Sequence, residues 1–251
     1  MLLQELFDNL AAGEFANLAV GNSITGSITE ASYPKMVSHI NMGLREIYKR
    51  FLLKKKECTL YQQEGVTTYY LRSTHVGYVG SMGPDVYIED VYNDTFDDDV
   101  IKVLEAYDSL GDSIPVNDPR KQNVGILYSA ADSVDIRITT LAFDTIKMVP
   151  CDPLQAVTLV YQASHPKIVI TEDFNPATYQ LYFPDFIETA LMAFIASRLY
   201  KGKASKAVEG EVREYNTFFY QFEKACKEIK DLGLAEELLT EENGFERKGW
   251  V

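Results

Sequence analysis

Positive charge is scarce in this chain. Twenty-four Lys and Arg stand against 37 Asp and Glu in 251 residues, leaving a net charge of −13 at pH 7. A protein that wraps nucleic acid through its phosphates needs a basic footprint, and this composition argues against one. Cysteine is also sparse: Cys58, Cys151 and Cys226 are odd in number, far apart and form no C-x-x-C pair. They imply neither a disulfide framework nor a zinc knuckle, and they read as buried free thiols. Long apolar runs are missing; the longest, Thr189 to Ala196, is far too short to span a bilayer, so no membrane partner is expected. Met1 to Phe15 carries acids where a secretory signal has a basic start, and none is expected.

Signals for catalysis are equally thin. Gly77-Tyr78-Val79-Gly80 followed by Gly83 lacks the frame of a phosphate loop, and the surroundings of Ser81 do not make a nucleophile elbow. The three histidines, His39, His75 and His165, have no metal-ligand spacing. The run Asp94-Thr95-Phe96-Asp97-Asp98-Asp99 lacks the frame of an EF-hand loop and reads as a solvated stretch. No enzyme activity, cofactor or metal is therefore expected.

What the chain does have is amphipathic helices at both ends. Between Pro184 and Leu232 it reads as two helices joined by the polar break Lys201-Gly202-Lys203. The first opens at Phe183-Pro184-Asp185 and is apolar nearly all round from Ile187 to Leu199, as suits a buried helix. In the second, Val208, Val212, Tyr215, Phe219, Phe222, Cys226 and Ile229 alternate spacings of four and three and predict one buried side. Near the other end, Tyr33 to Leu53 predicts a third helix, with Ser32 as N-cap, Pro34 in the first turn and Val37, Ile40, Leu44, Ile47 and Phe51 facing inward. The following Lys54-Lys55-Lys56 fits the helix dipole, which favours cations at the C-terminus, or alternatively an acidic partner surface. Leu2 to Leu10 reads as a shorter helix, and Ala11 to Ile28 as an arm or loop.

From Glu57 the apolar period changes to two. Cys58 to Tyr61, the turn Gln63-Glu64-Gly65 and Val66 to Leu71 predict a hairpin. Further strands are predicted over Val86–Tyr92, Val100–Tyr107, Val124–Tyr128, Val134–Thr139, Ile146–Val149, Val157–Ala163, Ile168–Ile170 and Tyr179–Phe183. The fold class is α+β: helices from the N- and C-terminal parts forming a bundle, with an antiparallel β-rich domain inserted between them. The expected divisions are 1–56, an arm and helix; 57–183, the β-rich insertion; 184–232, the helical hairpin; and 233–251, an extended tail.

Four stretches in this order carry a resemblance: Ile40-Asn41-Met42-Gly43-Leu44-Arg45-Glu46-Ile47-Tyr48; Gln63 to Leu71; Val160-Tyr161-Gln162-Ala163-Ser164-His165-Pro166; and the late helix pair from Leu181-Tyr182-Phe183-Pro184, with Tyr215 to Phe222 in its second helix. The chain resembles the head-to-tail adaptor (connector) proteins of tailed bacteriophages, nearest in plan to tail tubular protein A and the tail accessory factors of short-tailed phages. Arg72 stands where a proline often follows the strand in that family. The resemblance implies a structural virion protein at the head–tail junction, made in the host cytoplasm. It implies a dodecameric ring of this chain, bound to the portal protein and to a tail nozzle or hub protein, with DNA passing through the channel without sequence-specific binding. It also implies that the tail climbs onto the portal, which makes Phe245, Arg247, Lys248, Trp250 and Val251 the expected portal-binding residues. The competing readings are a tail nozzle or other tail ring protein, a cell-wall hydrolase, and a carbohydrate-binding module suggested by the 16 Tyr.

Overall fold

The structure, a computed structural model, describes residues 1–13, 28–78, 82–89, 96–118, 136–149, 156–204 and 209–235, with the backbone alone for 201–204 and 209–216. The chain divides into two units, 1–53 with 165–251 and 54–164. Helices and antiparallel-rich sheets are both present, the helices in the first unit and the strands in the second.

The first unit holds four α-helices among the described residues: α1 (Leu3–Ala12), α2 (Tyr33–Arg50), α3 (Glu188–Ala204) and α4 (Glu209–Asp231). Leu3, Leu6, Phe7 and Leu10 of α1 are buried. Its first amides, which have no partner inside the helix, donate to backbone carbonyls instead: Leu3 N to Tyr179 O at 2.9 Å and Gln4 N to Pro176 O at 3.1 Å. α2 buries Val37, Ile40, Leu44 and Ile47, the residues its spacing selects. Ser32 occupies its N-cap position without a side-chain capping bond; its Oγ lies 3.2 Å from Thr29 Oγ1. α3 is buried over most of its length, and α4 packs along it with Phe222 edge-on to Phe194 and Phe218 stacked on Tyr200.

Several expectations need correction in this unit. The backbone stays helical through Lys201-Gly202-Lys203 to Ala204, because one glycine costs a helix only about 1 kcal/mol. The start at Pro184 is a 3₁₀ turn, Asp185–Ile187, ahead of α3. Residues 165–183, expected in the β domain, belong here. Ile168–Ile170 lies in no sheet, and of Tyr179–Phe183 only Gln180 makes a bridge, to Leu2. The Asn41 amide imitates a strand neighbour for this segment, donating to Ile168 O and accepting from Ile168 N, both at 2.9 Å. Tyr33 on Phe174 and Tyr48 Oη donating to Tyr182 O fasten the rest.

The second unit holds nine strands among the described residues: β1 (Lys55–Tyr61), β2 (Thr68–Tyr70), β3 (Val76–Gly77), β4 (Ile88–Glu89), β5 (Val100–Tyr107), β6 (Ser113–Ile114), β7 (Arg137–Ala142), β8 (Thr145–Val149) and β9 (Ala156–Ala163). They form a six-stranded sheet, β3-β4-β1-β9-β5-β6, and a three-stranded sheet, β2-β8-β7. All pairings are antiparallel except β3 with β4. Both sheets feed one core, with Cys58, Leu60, Leu159 and Tyr161 from the first and Tyr69, Ile138, Ile146 and Met148 from the second. The expected hairpin of Cys58–Tyr61 with Val66–Leu71 does not form: β1 pairs with β4 and β9, while β2 pairs with β8. The turn between them is held by a side chain, Tyr69 Oη, which accepts from Gln63 N at 2.8 Å and donates to Val66 O at 2.9 Å. The basic run is also reassigned. α2 ends at Arg50, and Lys55 and Lys56 open β1. The strand expected over Val86–Tyr92 is described only to Glu89, and Val124–Tyr128 lies outside the described residues.

Candidate functional site

The five residues expected to bind a partner, Phe245, Arg247, Lys248, Trp250 and Val251, lie outside the described residues. The described chain ends just past α4, and its last turn is specified in detail. Gly233, at φ 64°, stands at the position after the helix where a left-handed residue is wanted. Leu234 N donates to Ile229 O and Gly233 N to Lys230 O, the two bonds of a Schellman motif. That turn leaves Leu232 71% and Leu234 47% exposed.

Tyr182 shares this end of the helical unit. The contacts Tyr200–Phe218 and Phe194–Phe222 run antiparallel, so the 3₁₀ turn before α3 falls beside the C-terminal part of α4. Tyr48 holds the backbone of Tyr182 by its carbonyl, and the Tyr182 ring is 71% exposed. Burial pushes the Tyr48 hydroxyl up to about 12. On α4 itself, Phe222, Ala225, Cys226 and Ile229 face inward, whereas Phe219, expected among them, is 40% exposed beside the exposed Tyr220. Val208 lies outside the described residues.

An arginine staples α2 to α4. Arg50 donates from Nη1 and Nη2 to the two carboxylate oxygens of Glu223, each at 2.9 Å, and from Nε to Glu46 at 3.1 Å. Its guanidinium also sits 4.7 Å from the Phe222 ring centroid. The bonds to Glu223 raise the affinity of Arg50 for its proton further, and burial pushes the nearby Cys226 thiol up to about 11.

The second unit presents apolar residues at turns: Leu110 between β5 and β6, and Leu141 and Phe143 at the tip of β7–β8. Arg72 Nε donates to Asp144 at 2.9 Å beside that tip, and its guanidinium lies over the Tyr70 ring. His75 stacks on Tyr87 at 4.7 Å and donates from Nδ1 to Asp85 O at 2.8 Å. Deeper in the unit is a charged cluster. Lys56 Nζ lies 3.4 Å from Asp99 Oδ2, with side chains 2% and 9% exposed, and Tyr161 Oη donates to Asp99 Oδ1 at 3.2 Å. Asp99, read from sequence as part of a solvated run, is thus a core residue paired to a lysine of β1. Burial, helped by the Asp99 charge, pushes the neighbouring Cys58 thiol up to about 12.

The three histidines are dispersed: His39 on α2, His75 in the 3₁₀ turn Ser73–His75, and His165 edge-on to Tyr48. Among the described residues no group of three His, Cys, Asp or Glu could hold a metal ion, and no helix is long and apolar enough to cross a membrane. No protein-family model and no curated protein sequence matches the chain. Sequence reasoning did not single out Tyr182, Tyr220, Leu232 or Leu234. The signal available was Gly233 directly after the last turn of α4, which marks where the chain turns outward and its flanking leucines with it.

Proposed function

We propose that the chain is a structural virion protein, a head-to-tail adaptor of a tailed bacteriophage that forms a ring beneath the portal and joins it to the tail. The reading comes from the sequence resemblance. The observation that supports it best is the exposed apolar end of the helical unit, Tyr182, Leu232 and Leu234, from which the chain leads towards Phe245 and Trp250. Large apolar side chains left in water at one end of a unit suit a surface that another protein covers. In this reading α1 to α4 act as the bundle that forms the ring body and grips the portal. The β unit offers Leu110, Leu141 and Phe143 to the tail nozzle or hub. A net charge of −13 lets DNA pass without sticking to the channel. The chain performs no catalysis and needs no cofactor.

Retention on immobilised portal protein from the same genome tests the reading. The full-length chain should be retained, and removal of residues 245–251 should weaken retention at least about tenfold while the unfolding midpoint stays unchanged. Equal retention of the truncated chain contradicts the role given to the tail. Retention on a tail ring protein, and not on portal, would move the chain further down the tail.

A further inference from the structure

The outward side of α2 carries cations and almost no acid. Lys35, Ser38, Met42, Arg45 and Lys49 alternate spacings of three and four, and all five are exposed. The only acid of the helix, Glu46, is held by Arg50. Asn41, which adjoins Ser38 and Arg45 on the helix surface, binds the backbone of Ile168 at both N and O. That pair of bonds lays Lys167, Val169 and Ile170 along the flank of the stripe. Lys167 is exposed and adds a fourth cation; Val169 is 58%, Met42 38% and Ile170 37% exposed. Among the described residues Lys35, Arg45, Lys49 and Lys167 make no ion pair. The outward side of α4 is different: Lys224, Lys227 and Lys230 stand among Glu228 and Asp231, and Lys224 pairs with Glu228. The stripe thus sets an apolar patch among cations that hold no acid, in a chain whose net charge is −13.

We infer that the stripe is the resting place of this chain's own tail. Glu241 and Glu242 meet Lys49 and Arg45, Phe245 lies on the patch of Met42, Val169 and Ile170, and Glu246 points towards Lys35 and Lys167. Charge and order match. Residues 236–246 hold five Glu and no Lys or Arg, and Phe245 has acids on both sides, as the patch has cations. Reach matches too. α2 runs antiparallel to α3, with Gly43 at Leu191 and Phe194 and His39 near Arg198. α3 in turn runs antiparallel to α4, so α2 and α4 run the same way. Arg50 holds Glu223, so the end of α4 lies about 12 Å beyond the Lys49 end of the stripe, and Met42 about 12 Å behind it. The described chain ends at Ala235; at full extension Glu241 reaches about 20 Å from there and Phe245 about 33 Å, enough for both contacts. Tethering also gives the tail an effective concentration that a separate acidic peptide lacks.

The contact does not depend on the adaptor reading; where that reading holds, the portal must draw the tail off the stripe before it can bind Phe245. A zero-length carbodiimide, which joins lysine amines to carboxylates in direct contact, tests the contact on the full-length chain. Heavy-nitrogen and unlabelled copies are mixed before the reaction. Peptide masses should show Lys49 joined to Glu241 or Glu242, and Lys35 or Lys167 joined to Glu246, always within one label. Arg45→Glu leaves all of these lysines in place. It should cut the yield at least about threefold at an unchanged unfolding midpoint, and about 0.5 M sodium chloride should do the same to the wild type. Phe245→Ala should lower the yield as well, by removing the apolar contact. Absence of tail-to-stripe cross-links, or a yield that ignores both Arg45→Glu and salt, would overturn the inference and leave the adaptor reading standing. Cross-links that join different labels would give the stripe to a second copy and overturn the role of the chain's own tail.

Discussion

Lys56 and Asp99 show how much one pair can commit a domain to. Two charges removed from water stabilise a fold only while both are present; alone, either is an uncompensated charge in the interior. Lys56→Met should therefore cost about 3–5 kcal/mol by urea denaturation, since among the described residues Asp99 would keep only the Tyr161 hydroxyl. Adding Asp99→Leu should recover most of that loss. A single variant as stable as the wild type would show that the pair is solvated. Tyr48 makes a prediction about pH. Its hydroxyl is pushed from 10.0 to about 12, so the folded chain keeps a proton that the unfolded chain gives up. Stability from this group is complete below pH 10 and falls as pH rises from about 10 through about 12. Tyr48→Phe should cost about 1 kcal/mol at neutral pH by losing the bond to Tyr182 O, and should flatten the alkaline decline of the urea midpoint. An unchanged slope would contradict the burial argument.

At the scale of elements, Gly43 governs the α2–α3 crossing. Gly43→Val would press two methyl groups against Leu191 and Phe194, both in the core, and should cost about 1–3 kcal/mol by thermal unfolding. An unchanged midpoint would mean that the helices can part without loss. Helix existence was legible in the sequence because Val37, Ile40, Leu44 and Ile47, or Phe222, Cys226 and Ile229, repeat at helical spacing within one element. Strand existence was legible for β5, β7, β8 and β9 for the same local reason. Pairing was not. β1 lies between β4 and β9, about a hundred residues away at its far partner, and nothing local distinguishes that from a hairpin with Val66–Leu71. The turn clamp by Tyr69 and the strand imitation by Asn41 are likewise contacts between side chain and backbone that no apolar pattern announces. Charge runs misled in the same way: Lys56 and Asp99 look solvated until the fold brings them together. For the candidate surface, the tail residues follow from the family resemblance, whereas Leu232 and Leu234 depend on how α4 is capped and Tyr182 on the bond its carbonyl accepts from Tyr48.

The whole molecule combines two units, one helical and built from both ends of the chain, one of strands encoded between them. β1 and β9, which begin and end the strand unit, are paired neighbours from Lys55 with Gln162 onward, so that unit needs only a narrow attachment in the chain. On the adaptor reading, the surplus of acid holds copies apart until the portal gathers them. The most direct measurement is the native mass of the purified chain alone and mixed with the portal protein of its genome. An adaptor should be a monomer alone and join a high-order complex with portal, at one chain per portal subunit. A chain that stays monomeric in the presence of portal would contradict the adaptor reading.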